Sequence, residues 1–228
     1  MQMARSFQTI QELADGQWGL ITRAQARIAG VPRATFARLL DTRLIERVAH
    51  GVYRVRGVGE VDHLELRAAW LQLDAARQAW ERLDDPDVAV VSHTSAASLY
   101  GVGDLRPDIH EFTSPQRWQT RRKDLRMHRG TVPDSEKIVL RGLPVTRAGR
   151  MIADLLADHI EPEAVARITV EVIENIHDYP RVVATKIASF AQSFGFREGD
   201  GIALLEHFLD LADARLDRET ILAEARRE

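Results

Sequence analysis

The sequence contains no cysteine and no long apolar run. The missing thiols exclude disulfides, thiolate metal sites and cysteine nucleophiles from a chain of 228 residues. No apolar run approaches the roughly 18 residues that a membrane-spanning helix needs, and residues 1–6 lack the apolar stretch of a signal peptide. Hydrophobic residues make up 45% and charged residues 29% of the chain, which favours a globular over a disordered protein. We therefore expect a cytoplasmic protein with no membrane partner.

Lysine is also scarce, and the basic residues are unevenly distributed. Only three of the 31 basic residues are lysines, and none of these three lies in residues 1–56. That segment carries nine arginines and four acidic residues, a net charge of +5, whereas the remaining 172 residues sum to −8. A basic segment followed by an acidic remainder indicates an anionic partner for the first part of the chain.

Residues 1–57 have the pattern of a winged helix-turn-helix. Thr22 and Gln25 have the spacing of a capping box at the start of a helix, and Gly30 and Pro32 suit a turn that leads into the next helix. Apolar spacing and β-prone residues supply the other elements. The predicted elements are helices over 7–14, about 22–29 and 33–42, and strands over 45–48 and 52–55. Three helices followed by a hairpin predict a winged helix-turn-helix domain.

The third of these helices points to double-stranded DNA as the anionic partner. With Phe36 as the core direction, Leu39 and Leu40 complete an apolar face, and Ala34, Thr35, Arg38 and Asp41 point away from it. A helix fits the major groove, where an arginine contacts both acceptors of a guanine edge. The start of the second helix would contact phosphates, and the hairpin would act as a wing. The predicted DNA-binding residues are Thr22, Arg23, Gln25, Arg33, Ala34, Thr35, Arg38, Arg47, His50 and Arg54. A winged helix used for protein contact is the alternative.

Residues 58–228 predict a second domain of mixed composition. The apolar pattern changes from helical to β-prone and back, and glycines punctuate its last part. The predicted strands lie over 88–91, 109–112, 125–128 and 138–145, the last with a break at Gly142. The predicted helices lie over 61–83, 92–99 and 147–157, and four more follow residue 162, the third over 200–214. The fold class is therefore α+β: an N-terminal winged helix-turn-helix, then a mixed α/β domain to about residue 157 and a helical C-terminal tail over 158–228.

A second basic stretch lies within residues 117–129 of this predicted domain. Arg126 and His128 alternate with Leu125 and Met127, so a half-exposed strand would present both basic side chains on one side. A solvated loop with no partner is the alternative. The predicted secondary DNA contacts are Arg117, Arg121, Arg122, Lys123 and Arg126.

The sequence shows no motif for catalysis or metal binding. His110 and Glu111 begin an H-E-x-x-H zinc motif, but position 114 is a serine. None of the three lysines stands two residues after an acidic residue, as nucleases of the D…D/E-x-K type require. The adjacent Ser92 and His93 are expected to be a helix cap and a packed side chain. We therefore expect no catalytic residue, cofactor or metal and no enzymatic activity, and a DNA-processing enzyme is the weakest hypothesis.

Several runs of this sequence resemble AbiEi-family antitoxins. Those similar to the family's N-terminal domain are Gln17–Thr22, Ala24–Ala26, Gly30–Val31 and Glu46–Arg54. Those similar to its second domain are Val91–Ala97, Gly101–Leu105 and Gly142–Arg147, the last followed by a helix that contains Asp154 and Leu155. The resemblance extends over roughly residues 7–157, and the helical tail carries no sharp motif.

The resemblance implies a protein that is encoded beside a nucleotidyltransferase-like toxin. Its winged domain would bind inverted repeats in its own promoter as an autorepressor, and its second domain would neutralise the toxin, either by direct contact or indirectly. Inverted repeats imply two copies on the operator, which is compatible with a monomer or a weak dimer in solution. The alternative function is a winged-helix transcription factor whose second domain senses a ligand.

Overall fold

The computed structural model describes residues 2–105, 108–213 and 217–227. The chain divides into two compact units, Met1–Ala89 and Val90–Glu228. The first unit extends beyond the predicted domain limit at residue 57, because the segment that follows is hydrogen-bonded to the winged helix. None of the helices in the described ranges is long and apolar enough to cross a membrane.

The first unit begins with a winged helix-turn-helix, which confirms the predicted fold. Its elements are α1 (Gln2–Asp15), β1 (Leu20–Thr22), α2 (Arg23–Ile28), α3 (Arg33–Asp41), β2 (Ile45–Ala49) and β3 (Val52–Val55). The strands form an antiparallel sheet in the order β1-β3-β2. β1 was not predicted, because its three residues are all buried and show no alternation of apolar and polar positions.

The core of the winged helix joins α1, α3 and the hairpin. Ile10, Phe36, Leu39 and Ile45 are all almost completely buried in one apolar cluster. The rings of Phe36 and Tyr53 meet edge to face, with their centroids 4.9 Å apart. This packing fixes the inner face of α3 and leaves its outer face to solvent.

The helix predicted over residues 61–83 is wrong in its second half. α4 spans Leu64–Leu73, and after it only a 3-10 turn forms, at Trp80–Arg82. Side chains of the winged helix bind the backbone here: the Thr22 hydroxyl donates to the Ala75 carbonyl, and the side-chain amide of Gln25 donates to the Arg77 carbonyl. These hydrogen bonds compete with the carbonyl bonds that a continued helix would make. Sequence periodicity carries no information on such tertiary bonds, so the end of α4 could not be predicted.

The second unit contains a five-stranded mixed sheet. Its first elements are β4 (Val90–Val91), α5 (His93–Tyr100), β5 (His110–Ser114), β6 (Leu125–Arg129), β7 (Lys137–Leu140), β8 (Leu143–Thr146) and α6 (Ala148–Ala157). The strand order is β6-β5-β4-β8-β7, with β5 parallel to β6 and β4 parallel to β8. The β-prone segment over 138–145, with its expected break at Gly142, is a hairpin, because Arg141 and Gly142 both have positive φ and reverse the chain.

The predicted helical tail is confirmed in the part of it that the structure describes. Its helices are α7 (Pro162–Glu174), α8 (Pro180–Ile187), α9 (Gly201–Leu211) and α10 (Arg218–Ala225), and a 3-10 segment at Ala188–Phe194 follows α8. Residues 214–216 and residue 228 of the predicted tail lie outside the described residues. The chain is therefore α+β, with a winged helix at its start and helices at its end.

Candidate nucleic-acid interface

The outer face of α3 forms one exposed stripe. Arg33, Ala34, Ala37, Arg38 and Asp41 are all exposed, and their spacing places them on one side of a helix with 3.6 residues per turn. Two arginines with small alanine side chains between them allow the helix backbone to approach a base edge closely. Ala37 was not among the predicted contacts, although the helical spacing from Arg33 and Arg38 already places it on this stripe.

The structure corrects the prediction for Thr35. Its side chain is 8% exposed and lies on the buried side of α3. The predicted apolar face is centred on Phe36, whereas the buried residues Thr35, Phe36 and Leu39 centre the observed face near Leu39, since Thr35 lies one helical turn before Leu39. Thr35 therefore supports α3 from inside and offers no side-chain surface to DNA.

Thr22 and Gln25 form the predicted capping box, but their side chains are not on the surface. The backbone N–H of Gln25 donates to Thr22 Oγ1 at 3.0 Å, and the backbone N–H of Thr22 donates to Gln25 Oε1 at 2.9 Å. Thr22 is 0% and Gln25 3% exposed, and both side chains are hydrogen-bonded to the segment after α4. The prediction that these two side chains contact phosphates is therefore corrected: they hold the first unit together.

Arg23, at the first position of α2, is only half-buried. Its guanidinium carbon lies 4.5 Å from the centre of the Phe36 ring, a distance at which a cation is attracted to the ring face. Its backbone amide donates to the Gly51 carbonyl at 2.8 Å. This amide is thus used inside the domain, and only the part of the Arg23 side chain that reaches solvent remains for a phosphate contact.

The hairpin between β2 and β3 presents two of the three predicted wing residues. Arg47 and His50 are exposed, and Arg47 Nη2 lies 3.2 Å from His50 Nδ1. Arg54 instead forms an ion pair with Glu46, its direct cross-strand neighbour, which offsets its charge. The basic surface of the wing is therefore formed by Arg47 with His50, and Arg54 contributes less than the sequence indicated.

The predicted secondary contacts lie in the loop before β6 and in β6 itself. Arg117, Arg121 and Lys123 are exposed. Arg122 is paired with Asp124 at 2.6 Å, and this hydrogen bond lowers the pKa of Asp124 to about 2. The guanidinium of Arg126 donates to both carboxylate oxygens of Asp158, at 2.6 and 2.9 Å, which it must release before it can contact a phosphate.

The structure also brings together side chains that can hold a metal ion. His93, His128 and Asp158 each offer a donor atom, and the three atoms lie within 4.8 Å of one another. These residues lie 35 and 30 positions apart in the chain, so no local motif could have indicated the cluster.

The fold and the exposed stripe of α3 define a winged-helix domain of the kind that reads DNA. Residues 8–56 match the model of the family described as transcriptional regulator, AbiEi antitoxin. The match confirms, over these residues, the resemblance noted from the sequence, and it covers about a fifth of the chain. No curated protein matches the chain. The first unit therefore contains a winged-helix domain similar to that of AbiEi antitoxins and transcriptional regulators.

Proposed function

We propose that this chain is an antitoxin that represses its own promoter and neutralises a nucleotidyltransferase-like toxin encoded beside it. The observation that carries the proposal is the match of residues 8–56 to a family of antitoxins and transcriptional regulators, on a winged helix whose α3 exposes Arg33 and Arg38. On this proposal the protein acts in the cytoplasm, where its promoter lies, and regulates rather than catalyses.

The proposed interface places α3 in the major groove. Arg33 and Arg38 would contact base edges, with Ala34 and Ala37 close to the groove floor. Arg47 and His50 in the wing and the exposed part of Arg23 would contact phosphates, which fix position without reading sequence. Thr22, Gln25 and Thr35 are left out of the interface because they are buried.

The operator on this proposal is an inverted repeat bound by two copies of the chain, each with one α3 in the groove of one half-site. A monomer or a weak dimer in solution satisfies this arrangement. The exposed residues Arg117, Arg121 and Lys123 would add phosphate contacts from the second unit. Their combined replacement by alanine should weaken binding to all sequences alike and make the affinity less dependent on salt.

The repressor activity is tested with the promoter upstream of the chain's own gene. We expect the full chain to retard this fragment in a mobility-shift assay and to protect an inverted repeat from DNase I, and to leave a shuffled fragment of equal length unprotected. Binding should weaken steeply between 50 and 200 mM salt, about 10³- to 10⁵-fold for 6–10 phosphate contacts. Equal affinity for the promoter and the shuffled fragment would contradict sequence-specific repression.

The antitoxin activity is tested by co-expression with the neighbouring nucleotidyltransferase-like gene. We expect the full chain to restore growth, and we propose that Val90–Glu228, the second compact unit, is sufficient for this. A truncation at residue 58 is a poorer choice, because it separates residues 75–79 from the winged-helix side chains that bind them. The hypothesis of a ligand-sensing transcription factor instead predicts no such neighbouring gene and no rescue.

A further inference from the structure

His93, His128 and Asp158 come from three different elements of the second unit. His93 is the first residue of α5, separated from the end of β4 by one residue, His128 lies in the edge strand β6, and Asp158 is the C-cap of α6. The two imidazole rings are stacked, with centroids 3.5 Å apart and planes 11° apart. We propose that these three side chains form a binding site for a divalent transition-metal ion of the Zn²⁺ type.

One ring nitrogen of each histidine already has a hydrogen-bond partner. His128 Nε2 lies 3.0 Å from Glu111 Oε1, and His93 Nδ1 lies 2.9 Å from Ser92 Oγ. Histidines that bind metal usually donate their second ring N–H to a carboxylate or another polar group, which fixes the ring and its tautomer. Glu111 and Ser92 therefore leave His128 Nδ1 and His93 Nε2 to act as metal ligands.

The backbone at His93 adds a second observation. His93 has a φ of +52° and is 6% exposed, so a bulky buried side chain is held in the left-handed region. Such a conformation costs on the order of 1–3 kcal/mol and is concentrated at functional sites. The turn from β4 into α5 directs the His93 ring against the His128 ring.

The charges of the cluster suit a cation. Glu111 and Asp158 supply two carboxylates, and the Arg126 guanidinium contacts both, at 3.6 Å from Glu111 Oε1 and 2.6 Å from Asp158 Oδ2.

The donor set of two imidazoles and one carboxylate selects the class of ion. Imidazole suits zinc, copper, iron and nickel, whereas magnesium and calcium prefer oxygen ligands alone. Zinc–ligand bonds of about 2.0–2.2 Å place tetrahedral donors roughly 3.5 Å apart. The donor atoms here lie within 4.8 Å of one another, so small side-chain rotations must bring them closer together. The stacked rings must also tilt apart, and Asp158 must release one oxygen from Arg126. A bound ion would thus cross-link the start of α5, strand β6 and the end of α6.

The test is a titration of the full chain with Zn²⁺ after removal of metals by a chelator and dialysis. We expect one ion per chain by calorimetry, a rise in the melting temperature of the chain, and visible absorption bands of a low-symmetry site when Co²⁺ replaces Zn²⁺. The variants His93→Asn, His128→Gln and Asp158→Asn should lose this binding, and Glu111→Gln should weaken it about 10- to 100-fold, because Glu111 orients a ligand.

His159→Asn is the matched control, because His159 is exposed, also has a positive φ of +57° and lies beside Asp158. It should bind Zn²⁺ as the unaltered chain does. If His93→Asn fails to fold, as judged by circular dichroism, the loss of Zn²⁺ binding is judged on Asp158→Asn, since Asp158 is nearer the surface. The proposal is overturned if the unaltered chain binds no Zn²⁺, or if the folded cluster variants bind it as tightly as His159→Asn does.

Discussion

Replacing Gln25 with alanine should destabilise the first unit without removing a DNA contact. Gln25 is 3% exposed; its Oε1 accepts from the Thr22 amide at 2.9 Å and from Gln17 Nε2 at 2.6 Å, and its Nε2 donates to the Arg77 carbonyl at 2.7 Å. Leaving a buried polar group without its partner costs about 1–3 kcal/mol. Because more than one such group loses its partner, we expect the free energy of unfolding to fall by about 2–4 kcal/mol.

The unfolding of the first unit can be followed by tryptophan fluorescence in urea. Three of the four tryptophans lie in this unit, at positions 18, 70 and 80, so a Trp118→Phe background restricts the signal to it. Gln8→Ala is the control, because Gln8 is exposed and bonds only to Glu12 among the contacts found for its side chain in the described residues. It should change the stability by less than about 0.5 kcal/mol.

The same variant separates an internal role for Gln25 from a role in DNA binding. At a temperature where the Gln25→Ala protein is folded, its affinity for the promoter should be within about twofold of the unaltered chain, since buried side chains reach no phosphate. A stability loss below about 0.5 kcal/mol, or a tenfold loss of affinity in the folded variant, would refute the placement of Gln25 inside the unit.

Two further substitutions test the second unit. Burial raises the pKa of Glu136, but hydrogen bonds from Lys186 and Arg150 outweigh this effect and lower the pKa. The stability that the Glu136 carboxylate contributes is therefore present above its ordinary pKa and is lost as the pH falls through the lowered pKa. Glu136→Gln should cost about 1–3 kcal/mol at pH 7 and should make the free energy of unfolding in urea less dependent on acid pH, whereas Glu163→Gln, at an exposed position, should do neither. An added Cβ at Gly201 would lie 1.9 Å from the Ala184 carbonyl oxygen, so Gly201→Ala should cost about 3 kcal/mol. Gly195→Ala, which has open space but a φ of +84°, should cost only about 1 kcal/mol, so its melting temperature should fall less. Equal melting temperatures for the two glycine variants would contradict the packing of α9 on α8.

The winged helix could be predicted from the sequence because local signals agree there. The capping box at Thr22, the Gly30-Val31-Pro32 turn and the helical spacing of Phe36 and Leu39 each specify a short element. The tail helices were predictable for the same reason, since their apolar faces recur at helical spacing. Such signals depend only on neighbours within one or two turns.

What the sequence could not supply depended on contacts between distant residues. Capping residues were expected on the surface, but the side chains of Thr22 and Gln25 have partners more than fifty positions away, and these bonds also end α4 early. The rotation of α3 that buries Thr35 is set by packing against the domain core. The cluster of His93, His128 and Asp158 forms only where β4, β6 and α6 meet, so no spacing along the chain could indicate it.

The central claim is that α3 reads promoter DNA through Arg33 and Arg38. Its most direct test is the affinity of the full chain for its own promoter, measured by fluorescence anisotropy at one fixed salt concentration. Arg33→Ala and Arg38→Ala should each weaken binding by about 1–3 kcal/mol, whereas Arg5→Ala, the same charge change at an exposed position of α1, should change it far less. Unaltered affinity in both Arg33→Ala and Arg38→Ala would contradict the account.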